Sequence, residues 1–358
     1  MRLLIIKTSS LGDVIHNLPV ISDIFAHAPG AAIDWVVEEG FAEIPKLHPK
    51  VRRVIPVALR RWRRQWWSPT TWRDVSRFRR ELKAETYDKV LDTQGLVKSA
   101  WLARLARGPS CGQDKASARE PLAASFYDHR FHVPRGRHAV ERNRDLAAQA
   151  LGYALPQSPP DYGIRAPALP PTLFPARGAP IRGAPVRRHG SPPDFHDCSA
   201  SPPVEGGGNL LDRPYVIGLH ATSRASKRWP VEHWVVLGRE LEGRGMPLLL
   251  PWGSAEEEQH ARLIAQSLKN ATVLPRLSLR ELAALMGRAQ AVVGVDTGLV
   301  HLAAALGRPT VAIYTDSSPA LTGVRPTDPN RAINLGECGV VPAAEEAFTA
   351  LARMMRMS

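Results

Sequence analysis

Short unbroken apolar runs alternate along this chain with longer stretches of helical period. The runs Arg2–Lys7, Ile33–Val37, Arg53–Ala58 and Lys89–Asp92 lack the strict polar alternation of a strand with one wet face. They predict strands covered on both sides, and so a parallel sheet with helices on its two faces. The alternation returns further on. Tyr215–Leu219, Pro247–Pro251, Thr272–Leu274, Ala291–Val295 and Thr310–Tyr314 predict strands, and Val231–Glu242, Ala255–Leu268, Leu279–Gly287, Leu299–Leu306 and Ala343–Met357 predict helices.

At 358 residues the chain exceeds what one core usually organises, so two α/β units are expected. The pattern divides it into 1–163, a proline-rich stretch 164–213, a second unit 214–340 and a closing helix 341–358. Eleven prolines fall between Arg165 and Pro214, with Gly206-Gly207-Gly208 and little periodicity. Such a composition buries too little apolar surface to offset the entropy of ordering, which predicts a disordered linker or insertion.

Charge narrows the partner. Lys and Arg number 47 against 34 Asp and Glu, a net +13 with a pI near 10.1, which favours an anionic partner: nucleic acid, anionic lipid or a phosphorylated substrate. Between Val51 and Ala84 eleven basic residues face two acidic ones, interleaved with Trp62, Trp66, Trp67 and Trp72. Guanidinium groups beside indoles suit phosphates and carboxylates next to ring or apolar surfaces. The usual nucleic-acid modules are absent from the sequence. Cys111, Cys198 and Cys338 are widely spaced, with no CxxC pair, which argues against a disulfide framework or a structural zinc site. The apolar start is too short for a secretory signal, and no run is long enough to cross a bilayer, so a soluble cytoplasmic protein is expected.

Candidate chemistry sits in the strand-to-helix turns, because open parallel sheets bind ligands beyond the carboxyl ends of their strands. The turn Lys7–Asp13 offers hydroxyls and amides at a helix start but has neither GxGxxG nor GxxxxGK[ST]. Asp13 stands where a cap would, which is the simpler reading of the turn, and a carboxylate at the mouth of a cleft could also act as a general base. In His220–Pro230, hydroxyls and Lys227 form a plausible diphosphate site ahead of a helix opened by proline. Asp296-Thr297-Gly298 opens another helix, whose amides and dipole suit phosphate, with His301 one turn in. Glu256-Glu257-Glu258 complements a helix dipole, and one of these acids could hold a ribose diol.

These residues resemble the bacterial lipopolysaccharide heptosyltransferases of glycosyltransferase family 9. The resemblance runs through KTSSLGDVIHNLP, DWVVEEGFAEIP, RVIPVALRRWRR, DTQGLVKSA, AREPLA, HAVERNRDL, HATSRASKRWPVEHW, LPWGSAEEE and VDTGLVHLAAAL, covering 1–163 and 215–358. WVVEEGF and RRWR favour the type I enzyme over the one that adds the second heptose. The resemblance implies a GT-B fold, two Rossmann-like domains around a cleft, with a closing helix that returns to the first domain. It implies an inverting transfer from ADP-heptose to the inner 3-deoxy-D-manno-octulosonic acid (Kdo) of Kdo2-lipid A, with no cofactor and no metal. It also implies a monomer working peripherally at the cytoplasmic face of the inner membrane.

Carried over by position, the resemblance makes Asp13 the general base, with Ser10 and Gly12 beside it at the acceptor. Thr222, Ser223 and Lys227 would hold the donor phosphates, Lys227 also offsetting charge on the departing diphosphate. Glu257 would hold the ribose, Leu277 the adenine, Asp296 a heptose hydroxyl, and Thr297 and Gly298 the phosphates through amides, with His301 beside the sugar. Arg60, Arg61, Arg63, Arg64 and Arg119 would meet Kdo carboxylates and lipid A phosphates. The alternatives are a GT-B enzyme with another nucleotide sugar or acceptor, heptosyltransferase II among them, a basic nucleic-acid-binding protein, and a catalytically dead scaffold that binds lipid A.

Overall fold

A computed structural model describes residues 1–170, 211, 213–222 and 224–356. The first half builds one parallel sheet from β1 (Arg2–Ile6), β2 (Ala32–Glu38), β3 (Val51–Val57), β4 (Lys89–Asp92), β5 (Ser110–Gln113) and β6 (His129–Phe131), ordered β3-β2-β1-β4-β5-β6. The second half repeats the plan with β7 (Val216–Leu219), β8 (Leu248–Leu250), β9 (Ala271–Val273), β10 (Ala291–Val295), β11 (Thr310–Ile313) and β12 (Ala332–Leu335), ordered β12-β11-β10-β7-β8-β9. Read from its first strand outward, each sheet has the same doubly wound order, and the side on which successive strands are added reverses between the first and fourth strands. The turns after β1, β4, β7 and β10 therefore meet at two facing switch points.

The runs of unalternated apolar residues behave as expected. Leu3, Leu4, Ile5 and Ile6 are all buried, as are all five residues of β10, because helices cover both faces. One hydrophobic cluster runs through both halves, joining Val14, Ile15 and Leu18 to Tyr215, Leu285, Val300 and Tyr314. The helix Leu11–Ile15 packs against the helix Gly298–Ala305, so the halves touch beside the switch points.

Three strands were not expected: β5, β6 and β12. Two corrections concern the segments outside the two units. The closing helix Ala344–Arg356 does not return to the first domain; it packs on β10, β11, β12 and the helix Val231–Glu242, burying Ala347, Leu351 and Met354. Ile164 and Leu169, assigned to the proline-rich linker, pack against the central cluster. The rest of that stretch, 171–210 and 212, lies outside the described residues, and with it the expectation of disorder. Among the described residues no helix is long and apolar enough to cross a membrane.

Candidate active site

The cleft between the switch points has a volume of about 860 Å³. The first half supplies one wall. After β1, Thr8 and Ser9 are held by the side chain of Gln94 from the turn after β4. Its Oε1 accepts from Thr8 N (2.7 Å), Thr8 Oγ1 (3.2 Å) and Ser9 N (3.1 Å), and its Nε2 donates to Ser9 O. Asp92 Oδ1 in turn accepts from Gln94 N at 2.8 Å. This clamp sets the direction in which Ser10 and Asp13 enter the cleft.

The N-cap is Ser10 rather than Asp13, which stands three residues on and reaches back to the cap: its Oδ2 accepts from Ser10 N at 2.8 Å and Ser10 Oγ at 3.0 Å. Both bonds land on one oxygen, and Asp13 still lines the cleft. Capping and proton transfer are therefore compatible at this residue. Lys7 lies beneath, its Nζ donating to Thr93 O (2.8 Å) and Asn143 Oδ1 (3.4 Å). Burial lowers the Lys7 pKa, with Asp13 and Asp92 opposing the shift. Arg60, Arg119, Arg135, Arg137 and Arg142 make the same wall strongly cationic.

The second half supplies the other wall. Asp296, at the end of β10, is ion-paired with Lys227 and accepts from Ser317 Oγ at 2.6 Å, with His301 Nε2 at 3.9 Å. Burial would raise its pKa, but the donors His301, Lys227 and Ser317 outweigh burial and hold the carboxyl well below the usual carboxylate range. Thr222 Oγ1 donates to Asp296 O at 3.3 Å, which ties the turn after β7 to the turn after β10. Glu257 caps as well, its Oε2 accepting from Gly253 N at 2.7 Å, while it lines the cleft. The walls are joined by histidines: His16 Nε2 lies 3.1 Å from His301 Nδ1.

The cleft thus gathers Ser10, Gly12, Asp13, Arg60 and Arg119 opposite Thr222, Lys227, Glu257, Asp296, Thr297, Gly298 and His301. Ser223 lies outside the described residues. Arg61, Arg63, Arg64 and Leu277 do not line the cleft. Arg61 is held by Glu39 (3.1 Å) and Asp74 (2.9 Å), which raise its pKa, and Arg63 and Arg64 are exposed at the end of the helix Leu59–Arg64. Leu277 packs against the central cluster.

Gln94, Asn143, Arg135, Arg137 and Arg142 were given no role from sequence. The matched stretches DTQGLVKSA and HAVERNRDL contain Gln94, Asn143 and Arg142, and so carried a signal for those three.

The family model for glycosyltransferase family 9 (heptosyltransferase) matches residues 75–347. The chain belongs to this family. It is 45% identical over 324 residues to lipopolysaccharide heptosyltransferase 1 of Pseudomonas aeruginosa, covering 90% of this chain and 81% of that protein. Lipopolysaccharide heptosyltransferase 1 of Escherichia coli K12 is 44% identical, with 90% of each chain covered. Among solved structures, the heptosyltransferase WaaC of E. coli with ADP superposes with a TM-score of 0.80 at 39% identity, covering 100% of this chain and 99% of WaaC. The same enzyme with ADP-2-deoxy-2-fluoro heptose gives a TM-score of 0.76 at 38% identity. The two facing parallel sheets are those of a GT-B glycosyltransferase.

Among the described residues of this family 9 protein no group of three or more His, Cys, Asp or Glu could hold a metal ion.

Proposed function

We infer that this chain is a lipopolysaccharide heptosyltransferase of the first type, moving heptose from ADP-heptose to the inner Kdo of Kdo2-lipid A. The observation that carries the reading is the pairing across one cleft of Asp13 with the Lys227–Asp296 cluster, each at a switch point of its own sheet. Asp13 accepts the proton of the acceptor hydroxyl as its oxygen attacks the anomeric carbon. The bond from that carbon to the β-phosphate oxygen breaks on the opposite face, so the configuration inverts. ADP leaves with the electron pair, and its charge is met by Lys227 and by the amides of Thr297 and Gly298 at a helix N-terminus. Glu257 holds the ribose. Asp296 holds a heptose hydroxyl and pairs with Lys227, with His301 beside the sugar.

Arg60 and Arg119 face the acceptor, and Arg135, Arg137 and Arg142 extend the cationic surface available to Kdo carboxylates and lipid A phosphates. The donor's charge is met by side chains and amides, without a metal. Both walls come from one chain, so a monomer suffices, and a lipid-borne acceptor places the enzyme peripherally at the cytoplasmic face of the inner membrane. The test is ADP release by purified protein given ADP-heptose, with and without Kdo2-lipid A and with EDTA. Release that needs the acceptor and survives EDTA is expected. Protein that binds ADP but stays silent with this pair would overturn the assignment of substrates, and loss of release in EDTA would overturn the metal-free mechanism.

A further inference from the structure

Outside the cleft, the segment after the helix Leu59–Arg64 exposes three indoles. Trp66, Trp67 and Trp72 are 64%, 67% and 60% accessible, whereas among the other described aromatics Trp101 is exposed at 48% and the rest are buried or half-buried. Trp66 and Trp67 stand edge to face with ring centres 6.0 Å apart. The helix that follows, Pro69–Leu82, buries Thr71, Phe78 and Leu82 against the domain. At helical spacing Arg73, Arg77 and Arg80 fall on the opposite side, and all three are exposed. Arg77 pairs with Asp74 at 2.8 Å, and Asp74 also holds Arg61. The result is a stretch of exposed indoles and guanidinium groups, joined through residues 59–64 to Arg60 on the cleft wall.

We propose that Trp66, Trp67 and Trp72, with Arg73, Arg77 and Arg80, form a docking element for an anionic phospholipid bilayer. Indoles settle at the boundary between headgroups and acyl chains, where the ring is desolvated and its N–H stays wet. Guanidinium groups at the same level meet lipid phosphates. The net charge of the patch, three arginines against Asp74, complements an anionic leaflet. The element deepens the proposed function by naming what surface holds the enzyme, and rests on that reading for its purpose. Docked this way, the mouth of the cleft beside Arg60 lies at the headgroup layer.

The test is sedimentation of the full chain with vesicles that contain neither donor nor acceptor, so it is independent of transferase activity. Phosphatidylglycerol vesicles should carry the protein down, pure phosphatidylcholine vesicles should not, and tryptophan emission should shift to the blue on binding. Trp66→Ala/Trp67→Ala should weaken partition roughly tenfold or more and abolish most of the blue shift. Arg73→Gln/Arg77→Gln/Arg80→Gln should weaken it on the order of a hundredfold at low salt, at roughly fivefold per basic residue. Circular dichroism checks that each variant is folded, and turnover of a deacylated soluble acceptor should match the parent. Equal binding to both vesicle types, or folded variants that bind like the parent, would overturn the proposal. So would binding that appears only when Kdo2-lipid A is added to the vesicle, or a preference for RNA that vesicles fail to displace.

Discussion

Leu11 and Gly298 touch so closely that a Cβ on Gly298 would lie 2.5 Å from the Cβ of Leu11. One residue opens the first helix of one half and the other opens the helix after β10 in the second, so the absence of a side chain at 298 sets how near the two walls come. Gly298→Ala should force them apart at a cost of about 1–3 kcal/mol, the usual range for overpacking. Expressed in catalysis, kcat/KM should fall about fivefold to a hundredfold or more, measured by ADP release. Activity within twofold of the parent would mean that this approach is not required for turnover.

Asp13 reaches back to its helix cap and lines the cleft where the proposed reaction needs a base, so the two roles need different substitutions. Asp13→Asn keeps an oxygen for Ser10 and removes the base. It should lower kcat about 10²–10⁴-fold while ADP affinity by calorimetry and the melting temperature stay near the parent's. Asp13→Ala should lose the same rate and in addition about 0.5–2 kcal/mol of stability. A fast Asp13→Asn enzyme would leave the residue with capping alone.

Lys227 is engaged by Asp296 before any donor arrives. Lys227→Ala removes a cation from the expected diphosphate position and also strips Asp296 of one of the donors that hold its carboxyl ionised. ADP should bind about ten- to a hundredfold more weakly, the scale of one charged hydrogen bond, and kcat should fall as well. Titration calorimetry with ADP reads the first effect separately from the second, and an unchanged ADP affinity would remove Lys227 from the phosphate site.

Stability should depend on pH through histidines at the seam. His138 Nε2 lies 2.9 Å from Gly323 O across the interface, and burial first, then Arg325, holds its pKa down to about 4. Burial first, then His301, His138 and Lys7, lowers His16 as well. A histidine whose folded pKa lies below its unfolded value of 6.5 binds its proton more readily in the unfolded chain. The contribution is therefore intact above pH 6.5 and is lost as pH falls toward 4. For His138 it amounts to about 2 kcal/mol lost by pH 5. Thermal unfolding followed from pH 7.5 to 5 should show the decline, and His138→Gln should flatten it. A variant with the parental slope would place the linkage elsewhere.

The parallel architecture could be read because its strands are apolar runs with no wet face, and the turns that line the cleft because acids, hydroxyls and glycines gather directly after those runs. β5 was invisible for the opposite reason. It reads Ser-Cys-Gly-Gln, and Gly112 must stay small because a Cβ there would lie 2.3 Å from the ring of Tyr127, whose hydroxyl reaches Asp92 Oδ2 at 2.7 Å. A tertiary contact chose that residue, so propensity could not. Arg61 erred the other way. Its sequence neighbours are basic, and the carboxylates that claim it, Glu39 and Asp74, come from 22 and 13 positions away. Gln94 looked like an ordinary polar turn residue until the fold brought it against Thr8 and Ser9.

The hydrophobic cluster that runs through both sheets predicts that the covalent link between them is dispensable. Glu141 pairs with Arg325, Tyr162 donates to Arg325 O at 2.7 Å, and Thr327 to Pro160 O at 2.8 Å. These bonds, with the shared core, join the halves independently of residues 171–210. A chain cleaved once within that stretch should still migrate as a single particle, melt in one transition and turn over donor. In the same way, the two halves expressed as separate polypeptides should reconstitute one enzyme.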